Sequence, residues 1–171
     1  GVRLVGSEMC IRDSNNGGKS WSTQQNQNTA QFYRVITDNL VPYNVYGGQQ
    51  DNSTVAIASR TNDNGIDWKD WYAVAGGESA FLAFNPDDPK LIYGGTYQGN
   101  IDKWNASTKE SKPIKEYPEL GLSILPENAK YRYNWNAPII TSPHDRKTIY
   151  HGGNVVFKST DEGQSLSLIH I

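Results

Sequence analysis

Residues 31–37 alternate aromatic or aliphatic side chains with polar ones, the period of a half-buried β-strand. A second apolar stretch ends in Tyr46-Gly47-Gly48, and residues 54–59 form a third before the polar run from Thr61. This predicts strand, glycine turn, strand, hairpin, strand: one four-stranded unit. The pattern then recurs. Residues 79–84 lead through Asn85-Pro86-Asp87-Asp88-Pro89-Lys90 into 91–95, and residues 138–141 lead through 142–147 into 148–153. Tyr46, Tyr93 and Tyr150 mark equivalent places, 47 and 57 residues apart.

A turn signature repeats with the strands. Residues 14–21, 61–68 and 159–165 fit S/T-x-D/N-x-G-x-x-W, the last stopping before its tryptophan. A short side chain accepts hydrogen bonds from its own turn's amides, and a glycine two residues later supplies positive φ, which is hairpin chemistry. Structural roles therefore fall to Asn16, Gly18 and Trp21, to Asp63, Gly65 and Trp68, and to Asp161 and Gly163. The unit between the second and third copies lacks the signature, and residues 102–105 are assigned its plain hairpin. Residues 109–133, with Pro113, Pro118 and Pro126, read as an insertion with a helical turn near 126–131; a binding-face insertion and a plain connector remain open. A repeat of roughly 40 to 50 residues built from short strands has the length of a propeller blade. The fold expected is all-β: a fragment, about three blades, of a β-propeller with four-stranded blades, where closure takes roughly four to eight.

The two ends read differently. Residues 4–13 resemble a translated sequencing adapter, and residues 166–171 resemble the reverse complement of its end. Residues 1–14 and 166–171 are therefore set aside as non-native, residues 15–165 are taken as the native part of a longer gene, and tryptophan is expected after Ser165. The single Cys and single Met, Cys10 and Met9, lie in the excluded part, which removes thiolate metal sites and cysteine nucleophiles. A net charge of −2 offers no basic field for nucleic acid. Mean hydropathy is −0.66, and no apolar run reaches the ~18 residues of a membrane span.

The densest polar cluster is Gln49-Gln50-Asp51-Asn52, following Gly47 and Gly48. Residues 75–79 and 96–100 are similar glycine-rich loops, the first carrying Glu78. Asp51 and Glu78 are the candidate catalytic carboxylates for glycoside hydrolysis, and Gln49, Gln50 and Asn52 candidate ligand-binding residues; the same residue types equally make a plain polar turn. Tyr131, Tyr133 and Trp135 are candidates for stacking on sugar rings, with packing between blades as the alternative. His144 and His151 lack ligand spacing, and Asn62-Asp63-Asn64-Gly65 lacks a calcium loop's first ligand, so neither metal nor cofactor is expected.

The turn signatures with the Gly47–Asn52 loop and the residue 85–95 turn resemble the Asp-box, or BNR-repeat, propellers of the sortilin N-terminal type, whose bacterial members are often labelled glycosyl hydrolases. The resemblance spans residues 15–165. It implies an extracellular, periplasmic or cell-surface protein that binds a polysaccharide, peptide or protein and is completed by further blades of the same chain. The family is also similar to inverting, xyloglucan-cleaving endoglucanases, which implies as the alternative a hydrolase with Asp51 as general acid or base.

Overall fold

The computed structural model describes residues 2–5, 11–22, 30–119 and 121–169. The chain divides into two compact units after Gln31. In the first, β1 (Val2–Val5) and β2 (Ile11–Ser14) pair as an antiparallel hairpin. The second is all-β, with three four-stranded antiparallel sheets, each a meander in chain order. The first sheet is β3 (Phe32–Thr37), β4 (Asn44–Gln49), β5 (Thr54–Ala58) and β6 (Trp71–Ala73). The middle sheet is β7 (Leu82–Asn85), β8 (Asp88–Gly95), β9 (Ile101–Asn105) and β10 (Glu110–Pro113). The last is β11 (Ile139–Thr141), β12 (Ile149–Gly152), β13 (Val156–Ser159) and β14 (Ser167–Leu168).

Strand alternation decides where the core sits. Neighbouring residues of a strand face opposite ways, and the middle sheet is apolar on both faces. Leu82, Ile92 and Trp104 join Tyr46, Ala56, Val74 and Ala75 in one cluster, against the first sheet. Ala83 and Tyr93, each next in sequence, and Ile101, three places before Trp104, join Ile139 and Ile149 of the last sheet in another. Each fully buried aliphatic side chain of this kind stabilises the fold by about 1.5–3 kcal/mol.

A buried polar residue ends the first strand of each sheet. Asp38, Asn85 and Ser142 stand eight positions before Tyr46, Tyr93 and Tyr150, and all three are buried. Asp38 accepts from the Leu40 and Asn44 amides, from Asn44 Nδ2 and from the Tyr46 hydroxyl. Asn85 accepts from the Asp87 amide, and Ser142 from those of His144 and Asp145. A strand end that would leave orphan donors is satisfied locally in all three.

The residue 14–20 and 159–165 turns share one bonding scheme. The Gly18 and Gly163 amides donate to Ser14 and Ser159 Oγ at 2.8 Å in both, and the Ser20 and Ser165 amides donate to Asn16 and Asp161 Oδ1 at 2.9 Å in both. Two successive residues take positive φ, Gly17 and Gly18 in one, Glu162 and Gly163 in the other. Glu162 is held there by an ion pair with Lys103 of β9 at 2.9 Å. The eighth position is Trp21 in one turn; in the other it is Leu166, which packs on the second core cluster.

Residues 61–68 depart from the expected hairpin. Asp63 pairs with Lys69 at 2.6 Å rather than with turn amides, and Gly65 is not among the positive-φ glycines. The reason lies four residues after the acid. The Ser20 and Ser165 amides donate back to the acid or amide there, whereas the Asp67 amide donates to Asp70 Oδ2 and the Asp67 carboxylate carries the same charge as Asp63. Asp67 instead forms a reciprocal capping box with Asp70 around the 3₁₀ turn Trp68–Asp70. Trp68 is thereby left exposed, and the outgoing strand begins at Trp71.

Other expectations shift too. Residues 102–105 lie inside β9 because Ile101 and Trp104 are buried; the turn follows, closed by Asn105 accepting from the Ser107 and Lys109 amides. A single hydrogen-bonded turn forms at 126–128, with Asn128 N donating to Leu125 O, and a 3₁₀ turn at Gly121–Ser123; both lie in the connector at 114–138 that joins β10 to β11. The set-aside ends form strands β1, β2 and β14, since ladder bonds use backbone groups that every residue but proline carries. Among the described residues no helix is long and apolar enough to cross a membrane.

Ser159→Ala should cost about 1–3 kcal/mol in urea unfolding, the penalty for a buried donor left unpaired. Thr61→Ala should stay within about 0.5 kcal/mol, since its hydroxyl bond is exposed; equal losses would show the two turns to be equivalent.

The pH dependence has a defined sign. Bonds from Ser165 and Ser159 hold the Asp161 carboxyl down to about 2. Folded below unfolded means that its contribution is full above about pH 4 and is lost as pH falls through the folded value. Asp161→Asn should therefore flatten the fall of Tm between about pH 4 and 2 relative to wild type; parallel curves would exclude this.

Candidate functional site

In a four-stranded meander the turn between the second and third strands shares an end with the entry to the first and the exit from the fourth. That end of the sheets carries the β4–β5 turn, the connector at 74–81, the β8–β9 loop and the connector at 114–138. Close packing brings them together. An ideal Cβ on Gly48 would lie 2.8 Å from Ala80 N, and one on Gly94 2.3 Å from Ala75 O, so the first connector runs against the strand ends where side chains are missing. Gly47 likewise makes room for the Phe32 ring. Gly47 and Gly48 thus serve protein neighbours.

Asp51 and Glu78 are brought into one network by this packing. Gln50 Nε2 donates to Asp51 Oδ1 and to Glu78 Oε2, both at 2.9 Å. The two acceptor oxygens are therefore no more than twice that length apart, about 5.8 Å. Glu78 Oε2 also accepts from the Asp51 amide at 3.1 Å, which holds Asp51 at φ 57. Gln49 is buried and its side chain reaches only the Asn52 carbonyl, so Gln49 closes the turn; Asn52 is exposed.

Two aromatic residues outside the predicted set complete the network. A bulge between Phe32 and Val35 interrupts the β3 ladder. Bulges re-aim side chains: Tyr33 donates to Gln50 Oε1, and the Arg34 guanidinium lies 4.0 Å over the Phe81 ring. Trp135 donates its indole N–H to the Tyr33 hydroxyl at 3.1 Å and stacks on Tyr97 with centroids 5.1 Å apart. Asn136 beside it donates to the Ser79 carbonyl, tying the second connector to the first. Trp135 remains 46% exposed.

The other two predicted aromatics pack inward. Tyr131 meets the Phe157 ring edge-on at 4.8 Å, and Tyr133 stacks on His151 at 5.1 Å. Tyr133 also donates to Glu116, which lies 3.7 Å from His151 Nδ1. Burial and this carboxylate push the Tyr133 phenol well up. Glu116 and His151 are far apart in sequence, and nothing in the spacing joins them. Among the described residues no group of three or more His, Cys, Asp or Glu could hold a metal ion.

A separate cleft of about 470 Å³ lies between β8–β10 and the turn at Glu162, lined by Asp88, Lys103, Glu110 and Lys112 among others. It has no aromatic wall and does not touch the Gln50 network. No family model and no curated protein matches the chain.

Glu78→Ala should release the Gln50 amide and the Asp51 N–H together. The expected loss is about 1–3 kcal/mol, with hydrogen exchange at the Asp51 amide accelerating. Unchanged protection at that amide would exclude the bridge.

Proposed function

We propose that the three sheets are consecutive blades of an Asp-box (BNR) β-propeller of the sortilin-like kind, and that the loop face built around Gln50 is a glycan-binding site. One observation carries the reading: an exposed indole, Trp135, sits in the same hydrogen-bonded network as an amide and two carboxylates. An indole face takes the apolar side of a pyranose ring. Carboxylates and amides take its hydroxyls, because an ionised carboxylate offers only acceptors and an amide offers both kinds of group. In a propeller this face surrounds the mouth of the central channel, and further blades would complete it. An extracellular, periplasmic or cell-surface location follows from the family resemblance alone.

The binding reading is favoured over inverting hydrolysis by the Gln50 bridge. An inverting pair needs about 6.5–9.5 Å between carboxyl groups to admit a water, and the bridged oxygens of Asp51 and Glu78 lie closer. Both are also engaged as acceptors, Asp51 within its own turn and Glu78 from Gln50 and the Asp51 amide across to that turn.

Calorimetric titration with β-glucan oligosaccharides should show binding without reducing-end release. Trp135→Ala should weaken it about ten-fold or more, equivalent to ~1.4 kcal/mol, at nearly unchanged Tm. Hydrolysis by the wild type that Asp51→Asn abolishes would establish the enzyme instead, and binding to peptides alone would remove the glycan.

A further inference from the structure

His151 is an anomaly in the repeat. Gly47, Gly94 and His151 each follow the equivalent tyrosine, Tyr46, Tyr93 and Tyr150, and each occupies the same place in its sheet, opposite Val55, Asp102 and Phe157 of the third strand. Where two sheets have no side chain, the last one buries an imidazole with no exposed surface. The incoming connector differs in the same way. In the middle sheet residues 75–77 lay their backbone on the glycines, Gly77 N donating to Gly95 O. In the last sheet the connector at 114–138 reaches down with Glu116 and Tyr133.

The cluster is tightly enclosed and electrically incomplete. The Tyr133 ring lies nearly parallel to the imidazole, 15° off, and a Cβ on Gly99 or Gly153 would come within 2.3 or 2.8 Å of that ring. Neither nitrogen of His151 has a hydrogen-bond partner, and neither has Glu116 Oε2, although that oxygen is 3.7 Å from Nδ1. The gap is too long for a hydrogen bond and short enough for an ion pair to close. Burial alone would raise the Glu116 carboxyl, but the imidazole and the Tyr133 phenol beside it outweigh that and hold it below the ordinary glutamate range.

A neighbouring cation is already engaged elsewhere. Lys115 Nζ, 5.8 Å over the Tyr133 ring, already donates to the carbonyls of Gln98 and Glu119 and to Asn100 Oδ1. Burial lowers its ammonium pKa, with Glu116 and Glu119 opposing. From β11 and β13 the residues paired with His151 are Ile139 and Phe157, which carry no charge.

We propose that His151 and Glu116 form a proton-operated latch: a protonated His151 pairs with Glu116 and fixes the connector at 114–138, and with it Trp135 at the loop face. Imidazole is the side chain that changes charge between about pH 5 and 8. The neutral ring leaves the buried carboxylate hydrogen-bonded to Tyr133 but without the imidazolium charge, a costly arrangement that favours release of the connector. Loss of the ring proton therefore loosens the latch. Its consequence for a ligand rests on the reading of the loop face as a glycan site; the latch itself does not.

The test needs no ligand. Hydrogen exchange of the Trp135 indole N–H, which is bonded to Tyr33, and of the amides in 114–138 is compared near pH 5.5 and pH 8 after correction for intrinsic rates. The expected result is protection about ten-fold higher at the lower pH in wild type, and no difference in Glu116→Gln. Equal protection at both pH values in wild type, or a difference that survives in Glu116→Gln, overturns the latch. Should that variant not fold, the ring signals of His151 in wild type decide: they must titrate between about pH 5 and 8 in step with the Trp135 indole. A ring that keeps one charge state across the window overturns it. Oligosaccharide titration at the same two pH values is read separately, and absent binding at both, with the exchange difference intact, counts against the glycan site and leaves the latch standing.

Discussion

The approach of the first connector to glycine positions is the contact on which the rest of the structure depends. Ala75, Gly76 and Gly77 run so close to Gly94 and Gly95 that a Cβ on Gly76 would lie 2.4 Å from the Gly95 carbonyl oxygen. The backbones come this close only because the facing residues Gly76, Gly94 and Gly95 bear no side chain. It leaves a short path between the first and middle sheets. The apolar cluster of Tyr46, Leu82, Ile92 and Trp104 then closes between them, and Glu78 arrives beside the Gln50–Asp51 turn. Core and loop face therefore share one steric condition.

Most of the strands were legible because their burial is one-sided or two-sided in a regular way. Residues 91–95 are apolar throughout and form a strand covered on both faces, whereas β3 is an edge strand whose alternation in sequence does not become regular burial, since Phe32 and Val35 stand exposed beside the bulge. The turn signature was legible in residues 14–21 and 159–165 and misleading in 61–68, although Asp63 and Gly65 keep their spacing. What separates them is the residue four places on, serine in two turns and in the third Asp67, whose amide donates to Asp70 instead, and the rule had left that position open. The hairpin assigned to residues 102–105 failed because Asp102 and Lys103 look like turn residues, while their neighbours Ile101 and Trp104 are needed by two different faces of the sheet.

The site was only partly legible. Two glycine-acid loops marked Asp51 and Glu78, but nothing local says that one amide, Gln50, spans both. Tyr33 reaches that amide through a bulge, and a bulge breaks the periodicity by which a strand is read. Tyr97 and Trp135 meet across two sheets' loops, and Glu116 of the connector reaches His151 inside β12. Contacts of this kind depend on how far a connector travels before it returns, and residues 114–138 carry no periodic pattern to say so.

The middle sheet, apolar on both faces, is also a unit that copies well. A tandem duplicate brings with it the face that its neighbour has to cover, so each added copy is solvated no worse than the one before. Its connectors differ in length: eight residues join the first sheet to the middle one at 74–81, and twenty-five join the middle sheet to the last at 114–138. Divergence of such an array would thus reshape the rim at which loops meet and leave the stacked interior nearly alone, so that new recognition can arise by lengthening one connector while the register of every strand is inherited unchanged.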